Sequence, residues 1–371
     1  MHDAAHPSRR PHVVVMEANA FHAEVLFSLA SAAATLRPGC DISVYSHDYW
    51  GAGALLREEL GVECSYGPLT DLRDAVLIGD RRGSFDAVLI GTYPLPDERI
   101  LRLAFAASAR VLALVHDIGF FDDTDRVAAL LRDHEGLHLA HAGVAPAEAV
   151  AELPAELRRR VSRFFPVFRT PPAGADPLRT PPADRSGVVV PGRMEFSRRD
   201  YPTALRLAAE AGVPLTLLGQ ADDEGRRRVR AAIEASGIPG RLLTVLANPG
   251  FPAFYRALDA SRYVAVMTVN PEYLHGKLTA AAGWALSCGV PMLTHQDDYD
   301  HYTAADPLFA DCMVRFRPDA PAGHPEHWGT VVRDTPPGDY ARLCARTAAV
   351  RDALLAQNAR LIQGMCGTSG R

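Results

Sequence analysis

A single lysine is the residue whose type most clearly suggests chemistry in this chain. Lys277 is the one lysine among 39 lysine and arginine side chains, so arginine supplies the other 38. Arginine can replace lysine at most exposed positions, but not where a compact ammonium group with three donors is needed. Lys277 follows an apolar run at 263–269 and opens a helical pattern, and the first turn of such a helix readily binds an anion. We predict that Lys277 binds phosphate, with chance retention of one lysine as the alternative.

Two arginines five positions apart form a second candidate anion site. The apolar run GVVVPG at 187–192 predicts a buried strand, and Arg193 and Arg198 stand on the loop that follows it. Two guanidinium groups at a strand's carboxyl end can hold a diphosphate through charge-assisted hydrogen bonds worth roughly 1.5–3 kcal/mol each. A solvated basic loop is the alternative, since this chain uses arginine throughout. Thr279 and the amides beside it would extend a phosphate site at Lys277. This site is not a Walker motif, because Pro271 stands where that motif has its first glycine.

The elements that must position these residues alternate between strands and helices. Short apolar runs rich in β-branched residues recur with helical patterns between them, and a second series of the same kind starts near position 187. This alternation predicts an α/β protein with two doubly wound, Rossmann-like sheets, whose ligands bind in a cleft at the carboxyl ends of the strands. The predicted divisions are a first domain at 1–168, a proline-rich linker at 169–187, a second domain at 188–335 and a helical tail at 336–371 that packs back toward the first domain.

Composition narrows the classes of function. A length of 371 residues suits two domains, and a net charge of −5 without a basic stripe gives no case for a nucleic-acid partner. Six scattered cysteines without a CxxC pair indicate a reducing, cytoplasmic setting. No apolar segment is long enough to span a membrane. The arginines and aromatics at 156–165 are interpreted as a surface helix and strand before the linker, and contact with an anionic surface is the alternative if the acceptor is a lipid. Two acidic DxD patterns, at 123–125 and 298–300, are interpreted as loops rather than metal ligands.

Four stretches resemble a known family in their order along the chain. They are GRMEFSRRDYPTAL, LTLLGQ, LANPGFPAFYRALDASRYVAVMTV and HGKLTAAAGWALSCGVPMLT, and together they cover most of 187–295. In that order they resemble the donor-binding half of retaining GT-B glycosyltransferases, especially glycosyltransferase family 4. The resemblance implies transfer of a sugar from a nucleotide-diphosphate sugar to an acceptor hydroxyl or similar nucleophile, with retention and without a metal or other cofactor. The acceptor could be a small molecule, a glycan, a lipid or a peptide.

The resemblance also implies roles for particular residues. Arg193 and Lys277 would stabilise the leaving diphosphate, and His116, at the end of the ALVHD strand, would contact the donor sugar. The remaining donor-binding candidates are Arg198, Gly192, Gly219, Asn248, Phe251, Glu272, Gly276, Leu278 and Thr279. The first domain would bind the acceptor, with candidates at Asn19, His22, Tyr93 and Asp117.

One departure from the family pattern keeps other functions open. The family carries two glutamates eight positions apart, and those positions hold Gly276 and Trp284 here. The usual carboxylate contacts to the sugar and the ribose are therefore missing, and Glu272 is the nearest acidic residue. The alternatives are a sugar-nucleotide epimerase or hydrolase on the same fold, and a non-catalytic binding protein.

Overall fold

Two compact units make up the chain. The computed structural model describes residues 10–19, 22–34, 40–47, 53–56, 64–78, 83–94, 98–141, 147–168, 179–273 and 279–366. The first unit comprises Met1–His141, Glu148–Pro166 and Leu355–Arg371, and the second comprises Ala142–Ala147 and Val167–Leu354. The chain therefore passes from one unit to the other next to the predicted proline-rich linker.

The first unit contains a parallel sheet that is doubly wound. Its described strands run in the order β3-β2-β1-β4-β5-β6-β7, so the chain proceeds outward from the centre in one direction and then in the other. The central strands are buried along most of their length, as expected for a parallel sheet covered by helices. The strands are β1 (His12–Glu17), β2 (Asp41–Ser46), β3 (Cys64–Gly67), β4 (Ala87–Tyr93), β5 (Val111–Val115), β6 (Leu137–His141) and β7 (Val161–Arg163).

The helices of the first unit connect consecutive strands. Helix α3 shows why these segments pack on the sheet, because it buries Leu101, Ala104 and Ala107 on one face and exposes the opposite face. The described helices are α1 (Ala23–Ala34), α2 (Leu69–Leu77), α3 (Glu98–Ala107), α4 (Thr124–Asp133), α5 (Ala147–Glu152) and α6 (Ala155–Arg158).

The second unit repeats the architecture with one strand fewer. Its described strands run in the order β10-β9-β8-β11-β12-β13 and pair in parallel. The strand order reverses between the neighbouring strands β8 and β11, since the chain crosses from β10 at one edge back to β11. Ligands of such sheets bind at the carboxyl ends of the strands there. The strands are β8 (Ser186–Pro191), β9 (Leu215–Gly219), β10 (Leu243–Ala247), β11 (Ser261–Val266), β12 (Met292–Thr294) and β13 (Met313–Arg315).

Side-chain caps begin several helices of the second unit. Asp200 accepts a hydrogen bond from the amide of Thr203 at 3.1 Å, and Asp222 accepts one from the amide of Gly225 at 2.7 Å. Such caps satisfy amides that have no partner within the helix. The helices are α7 (Tyr201–Ala211), α8 (Asp223–Ser236), α9 (Phe251–Asp259), α10 (Ala280–Cys288), α11 (Gln296–Ala305), α12 (Trp328–Asp334) and α13 (Pro337–Cys366).

The C-terminal helix α13 ends in the first unit. From Leu355 onward it belongs to that unit, where the side-chain amide of Asn358 donates to the carbonyl of Phe165 at 2.8 Å. The guanidinium of Arg110 contacts the carbonyl of Cys366 near the helix end. The predicted packing of this helix on the first Rossmann-like unit is confirmed. None of the helices in the described part of the chain combines the length and apolar character needed to cross a membrane.

The predicted α/β class with two doubly wound sheets is confirmed, and the apolar runs at 187–192 and 263–269 correspond to β8 and β11. The helix and strand predicted within 156–165 correspond to α6 (Ala155–Arg158) and β7 (Val161–Arg163). Strand β3 (Cys64–Gly67) was not predicted. It lies at an edge of the first sheet, and an edge strand needs no long apolar run, so hydrophobic patterning does not reveal it.

Candidate functional site

The loop after β8 places arginines at the carboxyl edge of the second sheet. Arg193 and Arg198 are 46% and 44% exposed, and both lie near Glu195. The Nε atom of Arg198 lies 2.8 Å from Oε2 of Glu195, and its Nη1 donates to the hydroxyl of Tyr273 at 3.0 Å. Arg193 Nη2 lies 3.4 Å from Oδ2 of Asp222. Exposed ion pairs of this kind contribute only about 0.2–1 kcal/mol, so an anionic ligand can compete with the carboxylates.

Two glycines at the end of this sheet allow close packing around them. Gly192 and Gly219 have φ angles of 120° and 149°, a region that strongly favours glycine. A Cβ atom on Gly219 would lie 1.9 Å from the carbonyl oxygen of Gly192. A Cβ atom on Gly192 would lie 2.4 Å from Nη2 of Arg199. Close backbone packing therefore requires glycine at position 219, and the positive φ together with the neighbouring Arg199 guanidinium favours it at position 192. The predicted contacts of both residues with a donor remain predictions.

Arg199 is a third cation at this edge, and the sequence analysis did not select it. Its side chain is buried, with 7% of the residue exposed, and its Nε donates to the carbonyl of Pro191 at 2.8 Å. The backbone of Arg199 forms an antiparallel bridge with Thr268 after β11. In the sequence, Arg199 was marked only by its place next to Arg198 in the RRD stretch. Residue type alone does not show which of two adjacent arginines will be buried.

A buried carboxyl group lies close to these cations. Asp298 is 1% exposed, and burial raises its pKa to about 7 against the opposing effects of Thr268 and Arg199. Burial also raises the pKa of Tyr302, and the negative charge of Asp298 adds to this effect. Asp298 belongs to a DxD pattern that was interpreted as a solvated loop, and the interpretation was wrong for this residue.

Thr279 begins helix α10. Its Oγ1 accepts a hydrogen bond from the amide of Ala281 at 3.1 Å, and its own amide donates to the hydroxyl of Tyr302 at 3.4 Å. The residue is buried, with 3% exposed. Its hydroxyl thus caps the helix, and its predicted contact with a phosphate stays a prediction. The predicted site residues Gly276, Lys277 and Leu278 lie outside the described residues.

The other donor-side candidates occupy different settings. Asn248 adopts a φ of 57°, and its side-chain amide accepts from the nitrogen and donates to the oxygen of Ala221, both at 2.9 Å. It therefore joins the loops that follow β9 and β10. Phe251 is buried at the start of α9, where its ring stacks with Tyr255 at a centroid distance of 6.1 Å. Glu272 is exposed in the turn Pro271–Tyr273.

The position expected to carry a family glutamate holds a buried tryptophan. Trp284 is 8% exposed, and its ring packs against Phe254 at 4.8 Å and Phe168 at 5.8 Å between centroids. An aromatic contact of this kind stabilises the core of the unit. The side chain of Trp284 therefore packs into the core and offers no carboxylate to a ligand.

The carboxyl edge of the first sheet holds a chain of hydrogen bonds that starts at a buried acid. Glu17, the last residue of β1, is 0% exposed. Its Oε1 accepts from the amide of Asn19 at 2.7 Å, and its Oε2 accepts from the hydroxyl of Thr92 at 2.7 Å. Nδ1 of His22 lies 2.8 Å from the same Thr92 oxygen. Burial raises the pKa of Glu17 to about 8, although the hydrogen bonds from Thr92 and Asn19 lower it.

His116 joins this group after β5. Its Nε2 donates to the carbonyl of Gly91 at 2.7 Å, and its ring stacks on His22 with centroids 4.7 Å apart and planes at 24°. Burial lowers the pKa of His116, which favours a neutral ring. The structure therefore brings the predicted residues His22 and His116 together. Sequence reasoning missed Glu17 and Thr92, although an acid directly after four apolar strand residues was a usable signal.

Two acceptor-side candidates, Asp117 and Tyr93, contact neighbouring residues of the first unit. The carboxylate of Asp117 accepts from the amide of Gly119 at 3.2 Å and begins the short turn Ile118–Asp122. Tyr93 is 9% exposed, and its ring meets Phe120 edge-on at a centroid distance of 5.4 Å. Burial raises the pKa of Tyr93. Contacts of both residues with an acceptor stay predictions.

Comparison with known proteins identifies the fold. The chain matches no protein-family model and no curated protein sequence. Among solved structures it is similar to Anabaena HepE in complex with UDP and glucose, with 14% identity, a TM-score of 0.56 and coverage of 95% of this chain and 98% of that chain. A glycosyltransferase from Rickettsia africae gives 10% identity, a TM-score of 0.59 and coverage of 97% and 100%. Sucrose-phosphate synthase from Thermosynechococcus elongatus gives 15% identity, a TM-score of 0.54 and coverage of 95% and 97%.

These similarities extend over nearly the whole chain in both directions. The two Rossmann-like sheets have the GT-B architecture, as predicted. At 10–15% identity the likeness establishes the fold, and one fold supports many functions.

Proposed function

We propose that this protein is a glycosyltransferase that moves a sugar from a nucleotide-diphosphate sugar to an acceptor hydroxyl or similar nucleophile. The observation that carries the proposal is the group of three arginines that follows β8 at the carboxyl edge of the second sheet, Arg193, Arg198 and Arg199. The support from comparison is that the same fold occurs in a protein whose structure holds UDP and glucose.

The arginine cluster suits the difficult step of such a reaction. Negative charge grows on the diphosphate as the sugar–oxygen bond breaks, and fixed cations stabilise that charge. Arg193 and Arg198 would exchange their exposed ion pairs with Asp222 and Glu195 for contacts with phosphate oxygens. We propose Lys277 as a further phosphate ligand on the ground of its uniqueness in the sequence.

The finer features of the reaction follow from the family resemblance. We propose retention of the anomeric configuration without a protein nucleophile, and without a required metal ion or cofactor. His116 would contact the donor sugar, and His22 and Asn19 would serve the acceptor. The domains proposed for these roles keep the predicted limits 1–168 and 188–335, and the site of action is proposed to be the cytoplasm.

Trp284 favours one alternative. Because this residue is packed into a core instead of offering a carboxylate, the protein could bind a nucleotide diphosphate without turning it over. An epimerase or hydrolase would instead consume a nucleotide sugar without any acceptor.

Thermal unfolding in the presence of UDP, GDP, ADP and TDP tests the binding step. A nucleotide that binds the folded state raises Tm through a stabilisation of RT ln(1 + [L]/Kd), which is about 2.7 kcal/mol at a hundredfold excess over Kd. We expect the shift to be lost in Arg193→Ala and kept in Arg206→Ala, since Arg206 pairs with Glu210 on helix α7.

A product assay separates the remaining outcomes. Each nucleotide sugar is incubated with the protein, with and without a panel of acceptors, and free nucleotide is measured. Release that requires an acceptor supports transfer, whereas release without one indicates hydrolysis and conversion of the sugar indicates epimerisation. The absence of a Tm shift for every nucleotide would contradict the proposal.

A further inference from the structure

The loops that follow β8 and β11 pair with each other at the carboxyl edge of the second sheet. The amide of Asp200 donates to the carbonyl of Met267 at 2.9 Å, and the amide of Val269 donates to the carbonyl of Arg198 at 3.1 Å. The strand order of this sheet reverses between β8 and β11, and ligands of doubly wound sheets bind beside such a reversal. Side chains that these two loops bring together are therefore candidates for contacts with a ligand.

Tyr273 follows the paired segment on the short turn Pro271–Tyr273. Asn270 fixes this turn, because its backbone carbonyl accepts from the amide of Tyr273 and its side-chain oxygen accepts from the amide of Glu272, both at 3.0 Å. Tyr273 is partly exposed, and it was not among the predicted site residues. The turn thus holds a tyrosine at the edge of the sheet that carries the arginines.

The hydroxyl oxygen of Tyr273 accepts a hydrogen bond from Nη1 of Arg198 at 3.0 Å. A guanidinium can only donate, whereas a phenol hydroxyl both accepts and donates. The O–H proton of Tyr273 is therefore directed away from Arg198. In the described part of the chain, the contact with Arg198 is the one hydrogen bond of this hydroxyl. Its proton can consequently be donated to a ligand without breaking a contact within that part of the chain.

A guanidinium and a phenol hydroxyl held side by side offer two kinds of donor to an oxyanion. The side chain of Arg198 is 44% exposed, so its N–H groups are accessible next to Tyr273. The cation polarises the hydroxyl to which it donates, and hydrogen bonds in such a chain strengthen one another. A phosphate group presents several acceptor oxygens, and hydrogen bonds to an ionised acceptor are about twice as strong as those between neutral groups. The chemistry of the pair therefore suits a phosphate.

We propose that Tyr273 is a binding residue for the diphosphate of the donor, with its hydroxyl donating to a phosphate oxygen that Arg198 also contacts. The inference rests on the proposed function, which assigns Arg198 to the diphosphate. When Arg198 exchanges its ion pair with Glu195 for the phosphate, its contact with Tyr273 stays in place and orients the hydroxyl. The proton remains on Tyr273 throughout, so no covalent bond forms or breaks at this residue.

Calorimetric titration of Tyr273→Phe tests the inference, because this change removes the hydroxyl and keeps the ring. The ligands are UDP, GDP, ADP and TDP, and inorganic pyrophosphate is measured by its competition with the nucleotide that binds. We expect Kd to rise by about 10- to 100-fold for that nucleotide and by a similar factor for pyrophosphate, since one hydrogen bond to a charged group is lost. The midpoint of urea unfolding should stay at the wild-type value, because the contact with Arg198 is exposed.

Two comparisons separate a ligand contact from a structural contribution. Tyr299→Phe is the matched control, because Tyr299 is also a partly buried tyrosine of the second unit, with the guanidinium of Arg315 5.1 Å from its ring centroid. This variant should bind the nucleotide as the wild type does. In an Arg198→Ala background, Tyr273→Phe should raise Kd by a smaller factor than in the wild type, because both donors act on one phosphate and the arginine orients the hydroxyl.

The inference is overturned if Tyr273→Phe binds the nucleotide as tightly as the wild type does. It is also overturned if the loss of affinity is absent with pyrophosphate, since the hydroxyl would then contact the base or the ribose, or if the factor is the same in both backgrounds. Each of these outcomes contradicts the inference alone, because the wild-type protein still binds a nucleotide diphosphate. A wild-type protein that binds neither the nucleotides nor pyrophosphate would contradict the proposed function as well.

Discussion

The two sheets of this protein share a topology but present different chemistry at their carboxyl edges. In the first unit, a buried acid, a hydroxyl and two stacked imidazoles form a hydrogen-bonded group. In the second unit, two half-exposed arginines pair loosely with carboxylates, and a third arginine is buried behind them. The strand order specifies where a site lies, and the residues that end the strands specify what the site can bind.

Burial explains the electrostatic difference between these edges. Glu17 lies in a low-dielectric setting, so its neutral form is favoured and its pKa rises to about 8. Asp222 is exposed beside the second sheet, where the amide of Gly225 and then the guanidinium of Arg193 hold its pKa below the usual value. The exposed Asp222 therefore keeps its charge near neutral pH, whereas the buried acids Glu17 in the first unit and Asp298 in the second have pKa values raised to about 8 and about 7.

The largest expected effect concerns the fixed charges of the second unit. Lys277→Ala should lower kcat by on the order of 10²–10³, because it would remove the donor that we propose for the leaving diphosphate. Lys277→Arg should be nearly as damaging despite its charge, since a planar guanidinium does not reproduce a compact ammonium. Steady-state kinetics with the nucleotide sugar identified in the product assay provide the measurement. Normal turnover in Lys277→Arg would refute the argument from lysine scarcity.

The second largest effect concerns a glycine at the carboxyl edge of the second sheet. Gly219→Ala should destabilise the protein by roughly 2–4 kcal/mol, because the new Cβ would lie 1.9 Å from the carbonyl of Gly192 in an unfavourable backbone conformation. Gly212→Ala is the matched control, since its Cβ would meet nothing within 4 Å and only the left-handed conformation costs about 1 kcal/mol. Urea unfolding of both variants measures the difference, and equal losses would show that close packing is not the cause.

The smallest effect, counted per pH unit, concerns the pH dependence of stability in the first unit. The pKa of Glu17 is about 8 in the folded state and near 4.5 when unfolded, so the folded protein binds the proton more tightly. Between these values, the contribution of this group to the free energy of unfolding should fall by about 1.4 kcal/mol per pH unit as pH rises. Glu17→Gln should remove that contribution and gain relative stability toward pH 8. Urea unfolding of both proteins at several pH values would reveal parallel curves if the idea is wrong.

Part of the site could be predicted because it depends on residue types near strand ends. The pair Arg193 and Arg198 was selected from a strand pattern followed by two cations, and His116 from the resemblance of its strand-terminal His-Asp to the family pattern. Arg199 could not be separated from its neighbour, because the path of an irregular loop decides which of two adjacent side chains is buried. Asp298 was missed for a different reason. It lies in helix α11 and is buried, whereas an acidic stretch in a sequence is typical of a solvated surface.

The sequence by itself determined the α/β class, the two doubly wound sheets and the loop that carries the arginines, because strand and helix periodicities and strand-end residues are local features. Tertiary structure alone decided that Glu17 meets Thr92 and that Thr92 meets His22, contacts that join residues 75 and 70 positions apart. It also decided that a tryptophan at position 284 packs into a core. Hydrogen-bond partners and burial depend on which strands become neighbours and how closely they pack, and no local pattern encodes either.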